Sequence, residues 1–191
     1  EALTLRAVSG FLGEEEHAQA APRPKGSVTI LFTDMESSTP LTGRLGDQAA
    51  HELVRAHNRM VREALGRHGG TEIKHTGDGI MARFDSAGAA LHCAIDIQKA
   101  FSSHNESAEN PFRVRIGLNA GEPVEEEADL FGTSVQLAAR IRDIAQPGEI
   151  LVSNVVRELV AGKEFLFADR GHAALKGFEE PVRLFQLHYV T

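Results

Sequence analysis

TEIKHTGDGIMARF, residues 71–84, holds two short β-favouring runs, Thr71–His75 and Ile80–Phe84, separated by Thr76, Gly77, Asp78 and Gly79. Runs of that length around a Gly- and Asp-rich tetrad read as a tight β-hairpin with Asp78 at its tip. Upstream, Asp47 is read as the cap of a helical pattern that carries Leu53, Val54, His57, Met60, Val61 and Leu65 on one face and stops at Gly69-Gly70. This predicts a core-facing helix over Asp47–His68. Further upstream, residues 28–32 (VTILF) form a compact apolar run that stops at Thr33 and Asp34, as a buried central strand would.

Downstream of the hairpin the alternation continues. Residues 86–101 carry Ala90, Leu91, Ala94, Ile95 and Ile97 at helical spacing, with Cys93 among them as a small core residue. A polar stretch, residues 102–110, precedes the alternating strand 113–118, in which Val114, Ile116 and Leu118 share a face. An acidic turn at 125–129, a helix over Thr133–Ile144, a break at Pro147-Gly148, a strand at 149–152 and a closing strand at 182–190 complete the pattern. Strand, helix, hairpin, helix, strand, then further helix and strand elements, describes an α+β sandwich with helices packed on one sheet. No internal repeat is visible.

The chain has 191 residues, 42% of them hydrophobic, and a mean hydropathy of -0.20, enough for one sizeable core. No stretch approaches the roughly 20 apolar residues that span a bilayer, and a cytoplasmic chain without membrane contact is expected. With a net charge of -7 the surface as a whole does not attract nucleic acid, so an anionic ligand must be held locally. The lone Cys93 excludes an intramolecular disulfide framework. Residues 1–26, with Leu5, Val8 and Leu12 at helical spacing, an acidic run at 14–16 and Pro22 and Pro24, read as a linker from an upstream domain or as a disordered leader. Residues 27–191 read as the domain proper.

Asp34 at the end of a buried strand and Asp78 at a hairpin tip converge if their strands are neighbours. Two ionised carboxylates about 4 Å apart repel by roughly 4 kcal/mol at an effective dielectric near 20, so such a pair calls for a divalent cation. All-oxygen ligation favours Mg²⁺ or Mn²⁺ over zinc. The purely structural alternative is a helix cap at Asp34 and a turn residue at Asp78. Both readings stand at this point. Met35, Glu36, Ser37, Ser38 and Thr39 follow Asp34, and backbone N–H groups and hydroxyls there suit phosphates. No Walker or Rossmann glycine pattern occurs in the chain.

FTDMESST at 32–39, EIKHTGDGIMARF at 72–84, RVRIGLNAGEPV at 113–124, DLFGTSVQLAARI at 129–141 and LKGFEEPVRLFQL at 175–187 together resemble the class III nucleotidyl cyclase catalytic domain. The resemblance spans residues 27–190. It implies a ferredoxin-like palm, a βαββαβ core with additional C-terminal α/β elements. It also implies a head-to-tail homodimer whose sites are built across the interface. Carried over residue by residue, Asp34 and Asp78 match the metal-binding aspartates, with the carbonyl of Met35 as a further ligand. Ser38 and Thr39 match the phosphate-contacting turn. Two Mg²⁺ or Mn²⁺ ions per site would neutralise the triphosphate and promote ionisation of the ribose 3′-hydroxyl.

Lys74 and Asp129 fall at the base-selecting positions and resemble the adenine-reading version. An ammonium donates to a ring nitrogen and a carboxylate accepts from the exocyclic amine, which makes ATP the expected substrate, cyclic AMP and pyrophosphate the products, and GTP the poorer fit. Taken singly, Lys74 is equally a solvent-facing strand residue and Asp129 a turn residue. Gln136 and Arg140, four apart on one helix face, match the family's transition-state Asn and Arg. Gln136 departs from the pattern by one methylene. Phe178 stands where many members carry a triphosphate-binding lysine, and Lys176 and Arg183 are the nearby cations. Two functions follow: an adenylate cyclase, or a nucleotide-binding and dimerisation module whose chemistry has eroded. A diguanylate cyclase loses because no GGDEF-like segment is present.

Overall fold

The computed structural model of the chain describes residues 26–36, 43 and 46–190. The linker expected at 1–26 lies almost wholly outside them, as do Ser38 and Thr39. The first strand, β1 (Val28–Met35), is buried along all eight residues. It extends past the expected stop at Thr33 because its neighbour β4 (Val114–Gly121) pairs with it to the end, Asp34 opposite Arg115 and Met35 opposite Val114. Between them lie α1 (Asp47–His68), the hairpin strands β2 (Thr71–His75) and β3 (Ile80–Phe84), and α2 (Ala87–Ser107). After β4 come a small hairpin, β5 (Val124–Glu126) and β6 (Asp129–Phe131), then α3 (Thr133–Ile144), β7 (Ile150–Ser153), α4 (Asn154–Leu159), β8 (Phe167–Ala173) and β9 (Val182–Leu187).

The main sheet runs β2-β3-β1-β4-β7-β9-β8. Its first four strands and two helices are the βαββαβ arrangement expected, with β1 antiparallel to both β3 and β4. Both faces are covered. Leu31 and Met35 of β1, with Ile80, Phe84, Ile116 and Leu118, meet Met60, Val61, Leu91 and Ile97 of α1 and α2. Ile30 and Phe32 point the other way, to Met81 and to Val135 and Ala138 of α3. Burial of β1 on both sides explains its near-continuous apolar run.

Four local readings are corrected. Asp47 is not a cap: Gly46 holds that position without a side-chain bond, and Asp47 lies in the first turn of α1, where its charge complements the helix dipole. The second helix continues six residues past Phe101, because Asn105 closes a two-way bond with Phe112, donating to its carbonyl at 2.8 Å and accepting from its N–H at 3.1 Å. The acidic stretch at 125–129 is a β-hairpin whose turn residues Glu127 and Ala128 both have left-handed φ, 48° and 63°. Asp129 is thus a strand residue. The last strand ends at Leu187, not at 190.

Two glycines seat α3 on the sheet. A Cβ at Gly117 would lie 2.2 Å from the Arg142 backbone nitrogen, and one at Gly121 would lie 2.7 Å from Ser134 Cβ. Both project from the same face of β4, so the helix lies flat across it.

Candidate functional site

The end of β1 and the tip of the β2–β3 hairpin come together. Met35 N–H donates to the Asp78 carbonyl at 3.2 Å, and Gly79 is pressed so closely on β1 that a Cβ there would meet the Thr33 carbonyl oxygen at 2.1 Å. Only glycine fits that contact. Asp34 and Asp78 thereby fall within each other's field. Burial, with the charge of Asp78 adding to it, raises the Asp34 carboxyl above the usual range against the pull of Arg115. An aspartate pair offers only oxygen donors, whose chemistry suits a hard divalent cation with phosphate oxygens or water as its remaining ligands. Among the described residues no group of three or more His, Cys, Asp or Glu side chains is gathered for a metal.

Arg115 was missed by sequence reasoning. Its Nε and Nη2 donate to Asp34 Oδ2 at 2.7 and 2.5 Å, while Nη1 donates to the Asp143 carbonyl at 3.1 Å. One guanidinium thus ties β1 to the C-terminal end of α3. A charged residue between Val114 and Ile116 in a central strand was the available signal, since such a group needs a partner.

Lys74 and Asp129 are brought together on a second patch. Lys74 Nζ donates to Asp129 Oδ2 at 2.6 Å, and Asp129 Oδ1 accepts from Leu130 N–H at 2.7 Å. The Lys74 ammonium holds the Asp129 carboxyl below its ordinary range. A β-bulge makes the pair. Glu72 pairs with Ala82 and Lys74 with Met81, so Ile73 is an extra residue on β2. The bulge lets Ile73 pack beside Met81 and Phe32 while Lys74 reaches β6, its Nζ 5.5 Å from the Phe131 ring centre.

Gln136 is exposed on α3, and Arg140 Nη1 donates to Asp143 Oδ2 at 3.2 Å. Arg142 also binds Asp143 and lies over the Phe32 ring. Asp143 therefore collects Arg115, Arg140 and Arg142. Of the C-terminal cations, Arg183 is engaged by Asp169 at 2.5 Å and Lys176 is exposed, while Phe178 packs beside Leu175 and Leu184.

Residues 20–189 match the model of the adenylate and guanylate cyclase catalytic domain. A Rhizobium meliloti protein named "Putative adenylate cyclase 3" is 36% identical over 81% of this chain, which spans 27% of that relative. The solved structure of an adenylate/guanylate cyclase/hydrolase from Silicibacter pomeroyi is 34% identical with a TM-score of 0.77, covering 85% of this chain and 96% of that one. The adenylyl cyclase CyaB from P. aeruginosa is 25% identical with a TM-score of 0.76, covering 86% and 95%. No helix among the described residues is long and apolar enough to cross a membrane.

Proposed function

Because the chain belongs to the adenylate and guanylate cyclase catalytic-domain family, we propose that it is an adenylate cyclase, converting ATP to 3′,5′-cyclic AMP and pyrophosphate in a head-to-tail homodimer. The observation that carries the choice of ATP is the Lys74–Asp129 pair, a donor and an acceptor 2.6 Å apart beside the Phe131 ring. Opened onto a purine, Nζ donates to a ring nitrogen and Oδ2 accepts from the 6-amino group. Guanine would set a carbonyl oxygen against that carboxylate.

Asp34, Asp78 and the carbonyl of Met35 would hold two Mg²⁺ or Mn²⁺ ions. Bound there, the ions neutralise the triphosphate and lower the pKa of the ribose 3′-hydroxyl. Arg115, whose guanidinium is the main counter-charge of Asp34 among the described residues, would be free to face the triphosphate where ions took over that role. Ser38 and Thr39, which lie outside the described residues, would contact the phosphates as the resemblance implies. Gln136 and Arg140, on the outward face of α3, serve the neighbouring chain's site, Gln136 orienting the ribose and Arg140 stabilising charge on the transferring phosphoryl group. The exposed Val124 and Phe131 on the β5–β6 hairpin support burial against a second copy. A fused upstream regulatory domain is consistent with relatives several times longer than this chain.

Product identification from ATP and from GTP, each with Mg²⁺ and Mn²⁺, tests the reaction and the base together. Mixing Asp34→Ala with Lys74→Ala chains tests the shared site. Heterodimers restore one intact site, so an equal mixture recovers about a quarter of wild-type activity. No recovery from proven heterodimers would overturn the shared site. The packed Phe178 and the longer amide of Gln136 favour the second reading, a nucleotide-binding and dimerisation module, and ATP binding without product formation would establish it.

A further inference from the structure

His57 is fully buried on a helix face otherwise made of Leu53, Met60, Val61, Ala64 and Leu65. A polar ring in such a place needs partners for both nitrogens. Nε2 lies 3.1 Å from Thr33 Oγ1, and Nδ1 lies 2.9 Å from Asn58 Oδ1. Asn58 Nδ2 in turn donates to His75 Nε2 at 3.0 Å. An amide oxygen facing Nδ1 puts the proton of the neutral imidazole on Nδ1 and leaves Nε2 to accept from the Thr33 hydroxyl.

Thr33 is the junction. It immediately precedes Asp34, is fully buried, and its Oγ1 accepts from Ile80 N–H at 3.0 Å. Ile80 begins β3 two residues after Asp78. One hydroxyl therefore joins the strand that bears the first carboxylate to the hairpin that bears the second, and His57 decides where its proton points.

We infer that His57 is a positioning residue for the Asp34–Asp78 pair: its neutral imidazole fixes the Thr33 hydroxyl, and through Ile80 fixes the hairpin tip against β1. The inference rests on the proposed reading that these carboxylates hold divalent ions. Asn58 and His75 select the tautomer from the surface side. No contact between His57 and the reacting groups is required. Partners at one remove from metal ligands typically change metal affinity by 10–100-fold when removed.

The test uses the full chain and Mn²⁺ alone as probe. His57→Phe fills the space and removes the acceptor. Thr33→Val removes the hydroxyl at nearly constant shape. Each is expected to weaken Mn²⁺ binding about tenfold and to speed exchange of the Ile80 amide by a similar factor. The double variant should lose no more than either single one, and His57→Gln, which keeps an acceptor, should recover most of the loss. The ¹⁵N shifts of His57 should show Nδ1 protonated and Nε2 bare. Mn²⁺ affinity and Ile80 exchange within twofold of wild type in both single variants would overturn the role, as would the opposite tautomer. A wild-type chain that binds no Mn²⁺ sinks the metal reading instead, and Ile80 exchange then still decides the clamp.

Discussion

Arg115 stands directly opposite Asp34 on the adjacent strand, and two of its N–H groups converge on a single carboxylate oxygen, Oδ2. The Asp34 side chain is 10% exposed, and this guanidinium is its main counter-charge among the described residues. The guanidinium supplies the positive charge that a buried carboxylate requires.

Arg115→Gln should therefore destabilise the metal-free chain by about 2–4 kcal/mol, since it leaves a mostly buried carboxylate beside a second one. Adding Mn²⁺ should raise the melting temperature of the variant more than that of the wild type. Thermal unfolding with and without the ion checks this, and equal increments would mean that Arg115 and the ion do not share Asp34.

The Lys74–Asp129 pair predicts the direction of a specificity change. Lys74→Ala should lower kcat/KM for ATP by about 10–100-fold, the worth of one charge-assisted hydrogen bond. It should affect GTP less, narrowing the ratio between the two. Steady-state kinetics with both nucleotides measure the ratio, and a uniform loss would place Lys74 on the phosphates.

Gln136 is exposed, so Gln136→Asn should leave stability within about 0.5 kcal/mol. Shortening the amide by one methylene should raise turnover, by as much as about a hundredfold if the amide orients the ribose. A fall in kcat would show the local packing to be adapted to the longer side chain.

Burial pushes the His57 pKa down from 6.5 to about 4. As pH falls, the unfolded chain takes up this proton first, so the contribution to stability is complete above about pH 6.5 and declines toward pH 4. Its ceiling is on the order of 3 kcal/mol, from 1.36 kcal/mol per pKa unit. His57→Gln should remove this acid-side loss. Denaturant unfolding at pH 7, 6 and 5 checks it, and parallel profiles for the two proteins would contradict the assignment.

Much of this molecule is written locally in its chain. The span of α1, the β2–β3 hairpin and α3 follow from apolar period, turn residues and the glycines at 69 and 70, because those signals act over one or two turns of backbone. The approach of the hairpin tip to the end of β1, on which the convergence of Asp34 and Asp78 depended, also agrees with the expectation, whereas the contact between Lys74 and Asp129 was not foreseen from the sequence. Tertiary structure alone decided the rest. Arg115 faces Asp34 only because β1 and β4 pair in one particular register over eight residues. Lys74 reaches Asp129 only because a bulge at Ile73 re-aims it, and α2 runs to Ser107 only because Asn105 finds Phe112. Each of these depends on a partner distant in the chain. Propensity and period carry no term for such a partner, whereas a buried charge or amide must find one when the chain closes.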